Sequence, residues 1–146
     1  MIKISVPSRL WYENQERELS FPRRWEVDNL TSDGFEKPGL SAQEIRSRVR
    51  EPVEGPSLEE LAGDKKQAVI VFDDMTRPTP VKDVAPHVLE CLHNAGMAKD
   101  QIRFIWALGS HGAYDMINAR KKLGDYIVEN YAVYNHDPFQ NTVRAG

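Results

Sequence analysis

The second half of the chain alternates between short, mainly apolar runs and apolar residues at helical spacing. Apolar runs at residues 68–72 and 102–108, and a shorter one at 132–134, predict three strands. Apolar residues recur at helical spacing over 81–92 and 116–128. The unbroken run at 68–72 is typical of a strand covered on both faces, and the alternation of strands with helices indicates right-handed βαβ crossovers. The pattern predicts an α/β fold: a three-layer domain with a mainly parallel sheet.

The start of the chain is patterned differently. Ile2, Ile4 and Val6 alternate with polar residues, and a second extended segment covers residues 17–21. The two segments predict an antiparallel hairpin that turns near residues 13–15.

Two capping-box sequences follow the hairpin. The Ser-x-x-Glu patterns at Ser41 and Ser57 predict a helix from Ala42 to about Arg50 and a shorter helix ended by Gly63.

The domain organisation follows from these elements. We expect a single α/β domain over residues 1–146. It is divided into an irregular β-hairpin lead-in (1–40), a helical segment (41–66) and a βαβαβ unit (67–140).

Composition and charge narrow the class of protein. The chain has 146 residues, 40% hydrophobic and 28% charged, with a net charge of −3 and a pI near 5.8. Because basic and acidic residues are interspersed, no nucleic-acid partner is expected. No apolar run approaches the roughly 20 residues of a membrane helix, and no signal peptide is evident. The sequence therefore predicts a cytoplasmic protein with no membrane partner.

The helix predicted over 81–92 and the residue that follows it include three side chains that could take part in catalysis. Each has a simpler structural explanation. Cys91 is the only cysteine, which excludes an internal disulfide, and its apolar surroundings favour a buried small hydrophobe. His87 and His93 are predicted to lie on the surface.

Polar clusters directly follow two of the predicted strands. Asp73–Arg77 comes after the first strand and Gly109–His111 after the second. The carboxyl ends of parallel strands line the binding crevice of α/β sheets, so Arg77 and His111 are expected to face one pocket. A guanidinium group matches a carboxylate in bidentate fashion, and an imidazole exchanges protons near neutral pH. Together they suit a small anionic substrate.

The neighbouring residues leave several roles open. Asp74 could orient the histidine, accept a hydrogen bond from a substrate hydroxyl, or pair with Arg77. Asp73 could be a site residue or only a turn or capping residue. Thr76 belongs with the substrate-binding candidates, and His136, which follows the third strand, is a further candidate site residue.

These clusters resemble a known family. Asp74–Pro80 is similar to the D-x-T-R-P-x-P element of the nickel-pincer lactate racemase family, and Gly109–His111 to its glycine-x-histidine element. Lys122–Val128 resembles the family's K-x-G-x-x-I-V helix. The similarity covers most of residues 1–140.

The resemblance implies roles for individual residues. Asp74 and Arg77 would line the substrate pocket, with Arg77 helping to hold a 2-hydroxy acid. His111 would be one of two histidines that exchange a proton with the substrate hydroxyl. The family's cofactor, a nickel-pincer nucleotide, accepts and returns the hydride.

The resemblance also implies what this chain lacks. The family's second histidine, its cofactor-bearing lysine and its nickel-binding histidine lie further along the chain. The sequence is therefore interpreted as the N-terminal portion of a 2-hydroxy-acid racemase or epimerase, either truncated or naturally shortened. Alone it is expected to be inactive, to carry no metal ligands and to retain no cofactor. Its expected partners are a small 2-hydroxy acid, the missing C-terminal half and, through exposed apolar surface, a second copy of itself.

Three alternatives stay open. Gly112-Ala113 stands where the family usually has a basic residue and a proline, so a hydroxy acid other than lactate is equally compatible. A non-catalytic module could bind a carboxylate or phosphate through Arg77 and the loop amides. A metal-dependent hydrolase would use Asp73, Asp74, His111 and His136.

Overall fold

A computed structural model describes most of the chain in two compact units, Met1–Gly39 and Leu40–Gly146. The described residues are 1–8, 11, 15–35, 37–140 and 142–143. The single domain expected over 1–146 stays a prediction.

The first unit contains a two-stranded antiparallel sheet. Strand β1 (Ile2–Ser8) pairs with β2 (Gln15–Phe21), and Ile2 lies opposite Phe21. The predicted N-terminal hairpin is therefore confirmed. Residues 13 and 14 of its predicted turn lie outside the described residues.

The second unit alternates helices and parallel strands, as the apolar pattern predicts. Its strands are joined in the order β3-β4-β5. The elements are α1 (Ala42–Arg50), α2 (Leu58–Ala62), β3 (Ala68–Asp73), α3 (Val81–Asn94), β4 (Ile102–Ala107), α4 (Met116–Leu123), α5 (Asp125–Asn130) and β5 (Ala132–Asn135). Gly124 separates α4 from α5 with a φ of 84°, a conformation that glycine adopts at little cost.

Both short helices begin as the capping boxes predict. The side-chain oxygens of Ser41 and Ser57 accept hydrogen bonds from the backbone N–H groups of Glu44 and Glu60. Each glutamate side chain in turn accepts from the backbone of its serine, so two N–H groups without helical partners are satisfied at each end.

The register of the sheet aligns the carboxyl ends of its strands. Phe72 lies opposite Trp106, and Trp106 lies opposite Asn135. The loops that follow β3, β4 and β5 therefore leave the sheet side by side, which is the arrangement that builds a binding crevice in parallel sheets.

One face of the sheet forms the core with the helices. Phe72, Phe104 and Trp106 are buried on this face, and the ring of Phe72 contacts both of the others. Helix α3 packs against α1, α2 and α4, and its residues Val81 and Ala85 lie beside Phe72. The indole N–H of Trp106 donates to the backbone oxygen of Asp73 at 3.1 Å, which ties the end of β3 to β4.

The opposite face of the sheet is open. Val69, Val71 and Tyr134 are 50%, 64% and 52% exposed. The expectation that the strand at residues 68–72 is covered on both faces was therefore wrong for Val69 and Val71. Because the strands follow one another in sequential order, two crossovers of the same hand place both connecting helices on one side.

No helix in the described part of the chain is long and apolar enough to span a membrane.

Candidate functional site

The loops after β3 and β4 enclose a cleft of about 290 Å³. It is lined by Asp73, Asp74, Thr76, Arg77 and residues 107–111. The two polar clusters singled out in the sequence thus border one cavity at the carboxyl edge of the sheet, with Arg77 and His111 both in its wall.

Asp74 is the buried centre of this cleft, with only 5% of its surface exposed. Its Oδ1 accepts hydrogen bonds from the backbone N–H of Thr76 at 2.8 Å and from the Thr76 hydroxyl at 2.5 Å. Its Oδ2 contacts Nδ1 of His111. The D-x-T sequence explains the first pair of contacts, since an aspartate readily bonds the backbone two residues ahead. Of the three partners considered for Asp74, the structure shows the histidine.

These contacts keep Asp74 ionised. Burial by itself raises the pKa of this carboxyl, but the hydrogen bonds from Thr76 and His111, with the charge of His111, outweigh it and lower the pKa to about 2. An ionised acceptor at Nδ1 favours the His111 tautomer that carries its proton there. Nε2 is then left to exchange a proton with a ligand, and about half of the His111 side chain is exposed.

Arg77 is exposed on the same cleft. Its Nη1 donates to the hydroxyl oxygen of Thr76 at 3.1 Å, and that hydroxyl donates to Asp74. Among the described residues, no carboxylate lies within ion-pairing distance of this guanidinium. Arg77 therefore keeps most of its donors for an incoming anion, while Thr76 links it to the Asp74–His111 pair.

Asp73 uses both carboxylate oxygens within the protein. Its Oδ1 lies 3.0 Å from Nζ of Lys122, and its Oδ2 accepts from the Thr79 hydroxyl at 2.5 Å. It lines the cleft, but its charge is already compensated.

His136 belongs to a neighbouring cleft of about 280 Å³. Its backbone N–H donates to the Trp106 oxygen at 3.1 Å, just beyond β5. Leu108 and His111 line both clefts, whereas His136 lines only the second. His111 thus stands between the two cavities.

The described residues do not form a protein-ligated metal site. They contain no group of three or more His, Cys, Asp or Glu side chains able to hold a metal ion. The metal-dependent hydrolase alternative, which would need such a group, therefore gains no support from the described residues.

Lys122 is the site residue that the sequence analysis did not identify. It is fully buried on α4, with Nζ directed at oxygens of the loop after β3. Its spacing from Ala119 and its position next to Leu123, both buried, place it on the inner face of the helix. That spacing was the available signal.

His93 also differs from its prediction as a surface residue. It is half-buried, with Nδ1 2.7 Å from the Met97 backbone oxygen and Nε2 2.8 Å from the Tyr131 hydroxyl. The contact with Tyr131 joins the end of α3 to the start of β5, because Tyr131 directly precedes that strand. The other histidine of this helix, His87, is also half-buried.

Comparison with known proteins identifies the family. The model of the lactate racemase N-terminal domain matches residues 12–144. The chain belongs to the lactate racemase N-terminal domain family.

Two curated relatives are lactate racemases. That of Thermoanaerobacterium thermosaccharolyticum is 30% identical over 105 residues, which are 71% of this chain and 24% of the relative. That of Lactiplantibacillus plantarum is 34% identical over 99 residues, 66% of this chain and 23% of the relative. The chain thus spans about a quarter of the length of these relatives.

Solved structures agree with the fold. The lactate racemase apoprotein of T. thermosaccharolyticum matches with a TM-score of 0.66 and 25% identity, covering 93% of this chain and 30% of that one. A Thermotoga maritima protein matches with a TM-score of 0.51 and 24% identity over 70% of this chain and 23% of its own, which supports the fold alone.

Proposed function

We propose that this chain is the substrate-binding portion of a lactate racemase-like enzyme that acts on a 2-hydroxy acid. The observation that carries the proposal is one cleft that brings together Arg77 and His111. The Arg77 guanidinium has no ion-pair partner among the described residues, and His111 is held by the buried carboxylate of Asp74. A 2-hydroxy acid presents a carboxylate and a hydroxyl on adjacent carbons, and this cleft has a group suited to each.

Each side chain has a distinct task in this proposal. Arg77 binds the substrate carboxylate through its paired N–H donors. His111 would take the hydroxyl proton at Nε2 and give it back on return, while the family's cofactor would accept the hydride from C2 and return it. Asp74 holds the ring and stabilises the imidazolium that forms, since its low pKa keeps it charged. Thr76 fixes the relative positions of Asp74 and Arg77.

We propose that the nickel-pincer nucleotide of the family is held outside this chain. The described residues contain no group of three or more His, Cys, Asp or Glu side chains that could hold a metal ion, and the curated relatives are about four times as long. Residues 1–146 by themselves would therefore bind a hydroxy acid without racemising it, and activity would need the region that the longer relatives supply.

The proposed substrates include 2-hydroxy acids other than lactate. Gly112-Ala113 follows the histidine and lines the second cleft. Two small residues next to His111 leave room there for a hydroxy acid with a longer side chain.

Racemisation in an enzyme context tests the proposal. This chain would replace the matching segment of the T. thermosaccharolyticum racemase, and conversion of one lactate enantiomer into the other would be followed by chiral chromatography after cofactor loading. We expect turnover by the chimaera and its loss in His111→Asn, with His87→Asn, which lies on α3 outside the cleft, as the matched control. Equal turnover by His111→Asn and the control would refute the role of His111, and racemisation by residues 1–146 alone would refute the division of the site.

A second candidate function is a non-catalytic anion-binding module. The observation that favours it is the exposed Arg77 guanidinium, which has no carboxylate partner among the described residues. Calorimetry of residues 1–146 with lactate, propionate and inorganic phosphate separates the two functions. A preference for lactate over propionate supports a site that reads the hydroxyl, whereas equal binding of all three anions supports the simple module.

A further inference from the structure

Lys122 is enclosed by the loop that carries the site. It is 0% exposed, and its Nζ lies 3.0 Å from the carboxylate oxygen Oδ1 of Asp73. The backbone oxygens of Asp74 and Arg77 lie 3.2 Å and 3.0 Å from the same Nζ. All three oxygens belong to the segment from the last residue of β3 to Arg77. One ammonium group on α4 therefore contacts both ends of the substrate-binding segment.

The burial of this ammonium group requires a counter-charge and hydrogen-bond acceptors. A buried ammonium group is costly unless it is paired and hydrogen-bonded, and lysine has three N–H donors to satisfy. Asp73 supplies the opposite charge, and the two backbone oxygens supply the remaining acceptors. This explains why Asp73 is bound on both sides, to Lys122 and to Thr79, and is not free to receive a ligand.

The hydrogen bonds from Lys122 also fix the backbone positions from which the side chains of Asp74 and Arg77 extend. The backbone oxygen of Asp74 accepts from the Arg77 N–H at 3.1 Å, which closes a turn, and the Lys122 ammonium group donates to the same oxygen. The Arg77 oxygen is fixed at its far end. With the backbone held at both points, the carboxylate of Asp74 is directed at His111 and the guanidinium of Arg77 remains in the cleft.

We infer that Lys122 is a positioning residue: its buried ammonium group, with Asp73 as its counter-ion, fixes the 73–77 loop and thereby sets the orientations of Asp74 and Arg77. Lys122 does not touch the ligand itself. The expected effect of Lys122 on ligand binding rests on the proposed function. Its expected effect on the 73–77 loop does not.

Amide hydrogen exchange of residues 1–146, followed by NMR, tests the effect on the loop. In Lys122→Met we expect the amides of Thr76 and Arg77 to exchange at least about tenfold faster, because the local opening of the loop becomes easier. The amide of Phe104, in the central strand, should keep its rate. Lys121→Met, the next position on α4, is the matched control and should leave all three rates unchanged.

A double variant separates positioning from general stability. In Asp73→Asn/Lys122→Met neither unpaired charge remains, so we expect the urea midpoint to recover towards that of the unmodified protein. The loop amides should stay fast and the calorimetric affinity for lactate should stay about tenfold weaker, because the carbonyl contacts are still missing. A purely structural lysine would recover all three quantities together.

Each result of these measurements either supports or overturns the inference about Lys122. Unchanged loop amides in Lys122→Met, or a rise shared equally by Phe104, overturns the inference. Faster loop amides in a protein that binds no lactate even without substitution support the inference and count against the proposed function. If Lys122→Met does not fold, Asp73→Asn alone is measured: a smaller rise confined to Thr76 and Arg77 supports the inference, and no rise overturns it.

Discussion

The carboxylate of Asp74 holds the imidazole of His111 across the ends of two neighbouring strands. The two residues are separated by 37 positions in sequence, yet the parallel pairing of β3 with β4 brings their loops together. An exposed histidine is thereby given one buried, ionised partner and one ring nitrogen for a ligand. Orientation by a carboxylate is how proton-transferring histidines are held in many enzymes.

Asp74→Asn should reverse the tautomer of His111. The amide that replaces the carboxylate can donate to Nδ1, which favours the proton on Nε2 and removes the acceptor for a substrate proton. Long-range ¹⁵N–¹H NMR of the imidazole would report the change, and turnover of the chimaeric racemase should fall by roughly 10³ to 10⁴. Asp115→Asn is the control, because asparagine still caps α4. An unchanged tautomer in Asp74→Asn would contradict the assigned pairing.

Substitution of Arg77 should weaken carboxylate binding in two steps. Arg77→Lys keeps the charge but loses the fork, and we expect lactate affinity to fall about tenfold. Arg77→Met removes the charge-assisted hydrogen bonds altogether, and a fall of about 100-fold is expected. Calorimetry measures both, with Arg48→Met on α1 as an exposed control. Equal affinity in all variants would place the anion site elsewhere.

Acid should remove the stability that Asp74 contributes. Its pKa is about 2 in the folded chain against an ordinary value of 3.8, so the unfolded chain binds the proton more readily. The contribution is therefore fully present above pH 4 and is lost as pH falls through 2. It amounts to about 2 kcal/mol. Urea unfolding at pH 5 and pH 2 should show the stability advantage over Asp74→Asn shrinking by about this amount. A pH-independent difference would disagree with the assigned hydrogen bonds.

Cys91 should be unreactive in the folded protein. Its side chain is fully buried, and burial raises the pKa of the thiol. Labelling by a thiol reagent at pH 8 should be on the order of 100-fold slower or more than in urea, since it requires opening of the core. The variant Val53→Cys supplies a fully exposed thiol for comparison. Equally fast labelling of Cys91 in the folded and unfolded chain would be incompatible with its position.

The elements of the second unit could be predicted because its apolar pattern is strong. The three strands follow from short, mainly apolar runs, and Trp106 lies buried in the middle strand. The approach of Arg77 and His111 to one cleft follows from parallel pairing alone. What covers each face does not follow, because an apolar run such as that around Val71 does not reveal on which side a helix returns.

The contacts within the site could not be predicted from the local sequence pattern, because they depend on turn conformations and on partners that are remote in sequence. The choice of His111 over Arg77 as the partner of Asp74 is made by the turn at Thr76 and by Gly109, whose φ of 58° redirects the chain before the histidine. The burial of Lys122 was missed because lysine is rarely buried. Its partners are also remote in sequence, 48 positions away for Asp74 and 45 for Arg77.

An NMR titration of residues 1–146 tests the central claim most directly. With ¹⁵N-labelled protein, lactate should shift the side-chain Nε–H signal of Arg77 and the imidazole signals of His111 together, with one dissociation constant. Propionate, which lacks the hydroxyl, should shift Arg77 while leaving His111 almost unchanged. Lactate shifts confined to residues outside this cleft, or shifts of Arg77 and His111 with different dissociation constants, would contradict a single hydroxy-acid site.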